Sequence, residues 1–448
     1  MIRHVAIVGA GFSGTLQAIN LLRHDGPRAT LIERAAEPGK GLAYGAAHPS
    51  HVLNVRAGNM SALPDDPGHF VRWLTEHGKG DTTSFAERVT YGAYLRDMLD
   101  QAIAASGNRL EVRRGDVTDI ACDDGGARLT LADGTTLAAD AAVLAVGNLP
   151  PHDPPGFGGA LSPDRYKSDP WDPSVATGLD DGDTVLLIGT GLTMVDIALM
   201  LEASGYRGRI VALSRRGLLP RRHDAPAPGP GLPERPTESP ADLLRRVRAR
   251  GEAIGWRAAV DELRPYTQAM WANASEAERE RFLRHLRPWW DVHRHRLAPQ
   301  VADRLEAMRD RGQLEAVAGK TIAAEETPDG IAVTWRRRGS ETVERTMFRR
   351  IVNCTGPQGD LTRTTEPLLA TLRDRGVIRA DPARLGIDVD GCARTIAADG
   401  LPNERLYALG PMTRGAFWEI VAVPDIRQQT WNLARRLSNA QWVGGEGL

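Results

Sequence analysis

Gly9-Ala-Gly11-Phe-Ser13-Gly14 is the first group of residues whose types and spacing could do chemistry. Gly9 permits a tight turn, Gly11 lets a pyrophosphate approach the backbone, and Gly14 lets a helix pack closely on a strand. An apolar run, His4–Val8, precedes them and a helical pattern, Thr15–Arg23, follows. Phosphates would therefore meet the free N–H groups of a helix N-terminus. A second strand pattern, Ala29–Ile32, delivers Glu33, 19 residues past Gly14, where an acid can bind a ribose hydroxyl. The set reads as a dinucleotide site. The glycine-rich stretch Pro38–Gly45 and His51–Val55 then interrupts the chain. A nicotinamide domain would run straight into its next strand, so this excursion suits a flavin, whose ring it could wrap.

A second, incomplete fingerprint follows the strand pattern Thr184–Ile188: Gly189-Thr-Gly191-Leu192-Thr193, with Met194 at the third glycine position. The next strand pattern, Arg209–Leu213, ends in Ser214-Arg215-Arg216-Gly217 with no acid. Arginine at that place suits the 2′-phosphate of NADP, so NADPH is favoured over NADH. Arginine pairs recur elsewhere, and only four of the 56 basic side chains are lysines (Lys40, Lys79, Lys167, Lys320), so the pair counts through its position.

The elements that must position these groups repeat. Each half reads strand, glycine turn, helix, strand, later short strands and a closing apolar strand. In the first half these are Leu110–Arg113, Ala127–Leu131, Thr136–Ala139 and Ala142–Val146; in the second, Ala316–Ala323, Ile331–Arg336, Val343–Met347 and Ile351–Asn353. The expected fold is α/β: two Rossmann-like dinucleotide-binding domains of the three-layer ββα type with β-meander crossovers, plus a helical insertion. The expected divisions are 1–150 with 351–448 for FAD and 151–350 for NAD(P)H, the latter containing an insertion or lid at 221–315. That insertion opens with a proline-rich linker, 221–236, and continues as helical patterns Pro240–Arg250, Ala258–Asn273, Ser275–His285 and Asp291–Arg311. Ser275 and Glu278 are spaced as a capping box. At its end lies Trp289-Trp290-Asp291-Val-His293-Arg294-His295-Arg296, which reads as packed core or as a substrate wall.

Composition excludes several classes. The 56 basic and 57 acidic side chains nearly cancel, against a nucleic-acid or membrane-surface binder. Three distant cysteines, Cys122, Cys354 and Cys392, allow neither a CxxC redox pair nor a zinc motif, and suit a reduced, cytoplasmic compartment. No apolar run is long enough to span a membrane, and a strand pattern beginning by Val5 leaves no room for a leader. No metal ligand set is expected.

Gly41-Leu-Ala-Tyr-Gly45, His51-Val-Leu-Asn54-Val, Tyr91-Gly-Ala-Tyr-Leu95, Gly189–Asp196, Trp290–Arg296 and Gly415-Ala-Phe-Trp-Glu419 together resemble a bacterial FAD/NAD(P)-binding flavoprotein family. That family includes a FAD-dependent urate hydroxylase and a nitrosuccinate-forming FAD-dependent aspartate N-hydroxylase. The resemblance implies FAD on Gly9, Gly11, Ser13, Gly14, Glu33, Arg34, Val117 and Gly410, with Asn54 near the ring. It implies NADPH, or NADH, on Gly189, Gly191, Leu192, Thr193, Arg215 and Arg216. The activity it implies is that of an NAD(P)H-consuming monooxygenase acting through a flavin C4a-hydroperoxide, with O2 and a small nitrogen-containing substrate such as urate or an amino acid. Arg294 and Arg56 are candidate clamps for an anionic substrate. A flavin reductase without oxygen insertion and a flavin-binding sensor or scaffold remain as alternatives. The sequence does not fix the oligomeric state.

Overall fold

The computed structural model describes residues 2–159, 161–224 and 231–438; part of the expected proline linker, 225–230, lies outside the described residues. Two large sheets organise the chain. The first has six strands in the order β15-β16-β7-β1-β2-β3: β1 His4–Val8, β2 Arg28–Glu33, β3 Leu110–Arg114, β7 Ala141–Leu144, β15 Arg394–Ile396 and β16 Pro402–Ala408. All its pairings are parallel except the edge pair β15–β16. Strands buried on both faces are apolar along their length, which is why Val5–Val8 of β1 and all of β7 read as apolar runs. A separate antiparallel meander, β4 Val117–Asp123, β5 Gly126–Leu131 and β6 Thr136–Ala139, forms the crossover.

The second sheet has seven strands, β13-β12-β11-β10-β9-β14-β8. Its parallel part comprises β8 Tyr166–Lys167, β9 Thr184–Ile188, β10 Arg209–Ser214 and β14 Arg350–Asn353. Strand β11, Leu314–Thr327, pairs parallel with β10 through residue 318 and then antiparallel with β12 Gly330–Arg337, which pairs with β13 Val343–Phe348. The second meander is therefore fused to its sheet, unlike the first. Because β14 lies in the second sheet, the division expected between 350 and 351 falls inside a strand of that sheet.

Helix Phe12–Arg23 follows β1 and is buried from Phe12 to Leu21. Gly14 is obligatory there, since a Cβ would stand 1.9 Å from the Gly9 carbonyl oxygen. The equivalent Met194 in helix Leu192–Ala203 is instead fully buried with Val185, Leu187 and Leu199, so the second helix uses side-chain packing in place of close backbone contact.

The insertion is helical, but its expected helices are broken. Ala258–Asn273 splits into Trp256–Asp261 and Thr267–Asn273 around Pro265, and Asp291–Arg311 splits into Arg287–Arg294 and Pro299–Asp310. Pro299 forces Ala298 into extended backbone (ψ 144°), and Leu297 bonds instead to Arg221 and His223. Ser275 and Glu278 form the reciprocal capping box. Among the described residues no helix is long and apolar enough to cross a membrane, and no cluster of His, Cys, Asp or Glu is placed to hold a metal.

Candidate active site

Both glycine turns open at the carboxyl ends of their sheets, and no side chain caps either following helix. Gly9 (φ 100°) and Gly189 (φ 119°) hold left-handed backbone, and a Cβ on either would strike the closing strand's carbonyl, Ala145 at 2.5 Å or Cys354 at 2.3 Å. Gly191 faces open space, where a Cβ would meet nothing within 4 Å, whereas a Cβ on Gly11 would lie 3.5 Å from the Gly41 Cα. These are cradles with free N–H groups and a helix dipole, and they fit a pyrophosphate.

The residues ending the second strands differ in charge. Glu33 Oε2 accepts from the Ala10 N–H at 2.7 Å and Oε1 from the Ala35 N–H at 2.9 Å, which fixes the carboxylate beside the turn with acceptor capacity to spare. In the second half Ser214 takes that place. Its hydroxyl bonds Thr190 Oγ1 at 2.8 Å and accepts from the Gly217 N–H at 3.0 Å. No negative charge remains there to repel a phosphate. Arg215 is exposed, and Arg216 lies 5.9 Å over the Trp289 ring.

The chain's return completes the first turn. A Cβ on Gly410 (φ 75°) would fall 2.4 Å from Ser13 Oγ. The Gly410 N–H donates to Gln429 Oε1 at 2.8 Å, and Gln429 Nε2 donates to Thr413 Oγ1 at 3.0 Å, so the last helix, Val423–Leu437, fastens the Gly410–Thr413 turn over Ser13. Gly41 (φ 58°) crosses Gly11 so closely that a Cβ would be 2.8 Å from the Gly11 Cα. Tyr44 packs on Phe12 and on Tyr91, with ring centroids 6.4 and 4.9 Å apart. Val117 is buried at the start of β4, in the core that includes Val8 and Ile32. Arg34 Nη1 is bonded to Glu366 at 2.7 Å.

Other sequence motifs also meet in pairs. His51 accepts from the His48 N–H at Nδ1 (3.1 Å), so its Nε2–H donates to the Asp196 carbonyl (3.1 Å). Burial and the charge of Arg88 push this imidazole down to about 4, so it is neutral. The Asp196 carboxylate, 2.7 Å from Arg88 Nη2, is pushed up to about 6 because burial outweighs that partner. This junction joins the two halves of the chain. The Asn54 carbonyl accepts from His223 Nε2 at 2.9 Å, and Arg56 Nη2 donates to the Asp224 carbonyl at 2.9 Å, tying the segment 54–56 to the start of the insertion.

Arg294 does not stand free as a clamp. Its Nε donates to Glu419 Oε2 at 3.0 Å. Glu419, with left-handed backbone (φ 64°) and a side chain only 2% exposed, also accepts from Trp290 Nε1 at 2.6 Å and from Arg264, whose other nitrogen holds Asp425. The Glu419 carboxyl is held below its ordinary value: burial would raise it, but the charges of Arg294 and Arg264 and the Trp290 hydrogen bond prevail. Residue spacing gives no sign of this hub, because Arg264, Trp290 and Arg294 each lie more than 100 positions from Glu419.

Comparison with known proteins agrees with this architecture. Residues 6–149 match a family model described as FAD-NAD(P)-binding. No curated protein matches. Among solved structures the chain is similar to the ornithine N-hydroxylase of Kutzneria sp. 744 with reduced FAD, NADP+ and L-ornithine (16% identity, 98% of this chain, 100% of that one, TM-score 0.67). It is also similar to L-lysine 6-monooxygenase of Pseudomonas syringae (18%, 98% and 100%, 0.68) and to the FAD-bound cadaverine monooxygenase of Erwinia amylovora (12%, 98% and 95%, 0.69). At these identities the likeness establishes the fold alone: two units built on Rossmann-type parallel sheets.

Proposed function

We propose that the chain is a FAD-dependent, NADPH-consuming monooxygenase that hydroxylates a small amino-nitrogen compound. The observation that carries this is the pairing of two uncapped glycine cradles of unlike specificity, one with Glu33 and a covering Gly410–Thr413 turn, the other with Ser214, Arg215 and Arg216. A protein that only stores flavin has no need of the second. The amine substrates of the structural neighbours support nitrogen as the target. Urate and aspartate, the substrates suggested by the family resemblance, stay within the reading as nitrogen-containing candidates.

Bound FAD would supply two-electron reduction of oxygen and transfer of one oxygen atom to substrate. This chain's residues bind and orient. Gly9, Gly11 and the helix start at Phe12 take the pyrophosphate, and Glu33 takes a ribose hydroxyl. Ser13, Gly410 and Thr413 close the turn, and the aromatic wall of Phe12, Tyr44 and Tyr91 keeps water from its flank. Arg215 and Arg216 take the 2′-phosphate. Burial raises the Cys354 thiol far above its ordinary value, which keeps it protonated.

The test is NADPH oxidation by flavin-loaded protein under oxygen, with L-ornithine, L-lysine, cadaverine, L-aspartate and urate. Hydroxylated product in proportion to NADPH supports the reading. Turnover with a dye under nitrogen, at an undiminished rate and with no oxygenated product in air, makes it a plain reductase.

A further inference from the structure

Helix Pro240–Ile254 is 15 residues long and amphipathic, yet none of its residues is buried. A helix of this kind normally owes its stability to an apolar stripe packed on a core. Here the stripe, Leu243, Leu244 and Val247, turns into a space of about 920 Å³ bounded by the insertion and Trp418. Polar contacts hold the helix in place instead. Arg250 grips the buried Glu262 carboxylate with Nε at 3.0 Å and Nη2 at 2.9 Å, Glu238 pairs with Arg246, and Ser239 caps the first turn. The helix is a wall fixed by charge, with its apolar face turned to the chamber.

Five of the chain's ten tryptophans, Trp256, Trp271, Trp289, Trp290 and Trp418, line the same space. Phe282 and Leu286 reach it from a π-helical turn, in which the Arg287 N–H bonds the Phe282 carbonyl five residues back. Such turns are rare and are found mostly at functional sites. The polar ends of two rings are spent on the chain itself: Trp271 Nε1 donates to the Gly415 carbonyl at 2.7 Å and Trp290 Nε1 to Glu419 at 2.6 Å. Guanidinium groups that do not line the space already lie over three rings. Arg257 and Arg296 are 4.4 and 5.2 Å from the Trp256 centroid, Arg414 is 4.8 Å from Trp418, and Arg216 is 5.9 Å from Trp289. The attraction of these rings for a cation is therefore already used. A cationic ligand would meet the repulsion of these groups and gain no carboxylate, since Glu238 is held by Arg246, Glu278 by Ser275, and Glu252 is solvent-exposed. An anion would lose its hydration among apolar rings. Arg279 is committed to the Trp271 and Ala272 carbonyls at 3.0 and 3.1 Å, and Arg235 and Arg248 are solvent-exposed.

We propose that this chamber is a binding site for an uncharged compound of two fused or linked aromatic rings, seated between the apolar face of Pro240–Ile254 and the tryptophans. Planar apolar walls and a space of this size suit such a ligand. No residue of either glycine cradle lines the chamber, so the site is separate from both. Binding there does not depend on the monooxygenase reading.

The experiment is isothermal titration of the full chain, with FAD added, using 2-naphthol and 4-phenylphenol. The comparison compounds are 2-naphthoate, 1-naphthylmethylamine and 1-decanol, which carry a negative charge, a positive charge and an aliphatic chain in turn. At least one of the two phenols is expected to bind at one saturable site per chain, with all three comparison compounds more than tenfold weaker. Leu244→Gln, Trp289→Ala and Gly251→Leu should each weaken the bound phenol more than tenfold. Trp289 is 44% exposed and Leu244 lies on a helix without buried residues, so both variants are expected to fold. Gly251 lines the chamber, and a Cβ there would stand at an ordinary 3.5 Å from the Trp256 Cα, so leucine narrows the space and carries the test should another variant fail to fold. Far-ultraviolet circular dichroism and melting verify the fold of each. Absence of saturable binding by both phenols, more than one site per chain, equal or tighter binding of a comparison compound, or wild-type affinity in two folded variants would overturn the proposal.

Discussion

Replacing Glu419 by glutamine removes one charge from the middle of the buried hub while keeping its shape. The carboxylate serves three donors: Trp290 Nε1 at 2.6 Å, Arg294 Nε at 3.0 Å and Arg264. A glutamine oxygen can still accept from Trp290, but its amide NH2 then faces two guanidinium groups. Removing one partner of a buried ion pair costs about 3–5 kcal/mol. Arg264 keeps Asp425, so the lower end applies, about 3 kcal/mol. If all 448 residues unfold together, the unfolding entropy is about 0.9 kcal/mol/K and melting falls by about 3 °C. If the insertion melts separately, its smaller entropy, about 0.2 kcal/mol/K, converts the same loss into a drop of about 15 °C in that transition. Differential scanning calorimetry distinguishes the two. The difference from wild type should also be complete above pH 4.5 and shrink as pH falls, because the folded carboxyl lies below that ordinary value. A shift under about 1 °C in every transition at pH 7 would refute the hub as a source of stability.

Arg215→Ala should lower kcat/KM for NADPH about 5- to 30-fold while leaving NADH nearly unchanged, as expected for losing one phosphate contact on an exposed arginine; equal losses for both nucleotides would contradict the 2′-phosphate role. Gly410→Ala should reduce the FAD retained after purification, because the new methyl meets Ser13 Oγ at 2.4 Å in backbone that disfavours any Cβ; full flavin occupancy would show that this turn does not bear on the cofactor. At the inter-half junction the two titrations oppose each other. His51, depressed to about 4, contributes stability above its ordinary 6.5 that is lost as pH falls; Asp196, raised to about 6, contributes stability below its ordinary 3.8 that is lost as pH rises. His51→Gln should therefore lose melting temperature relative to its own value at pH 4 as pH rises to 6, more steeply than wild type, and parallel profiles would count against it.

The cradles were legible because their signals are local. Three glycines, an apolar strand and an acid at fixed offsets depend only on neighbouring geometry, and Ser214 in place of an acid could be read in the same way. Strand β4 was missed because Val-Thr-Asp-Ile-Ala-Cys-Asp buries only Val117 and Ile120 and lacks an apolar run. The breaks at Pro265 and Pro299 were visible in the sequence but were outweighed by flanking helical periodicity. Arg294 stands out in the sequence as a clamp candidate, yet its partner comes from position 419, and no spacing rule spans that separation.

The strand order has a consequence for synthesis. The first sheet places β16 beside β7 and β15 at its edge, and helix Val423–Leu437 packs on Phe12–Arg23, with Asn20 bonded to Thr430. A ribosome must therefore deliver the whole second sheet before the first can be finished. Residues 161–353 can collapse as an uninterrupted unit, while the earlier-made β1, β2 and β3 wait with the β7 edge unpaired. The half made first is the half completed last, and the nascent chain is most exposed to mispairing along β7 until residue 408 has emerged.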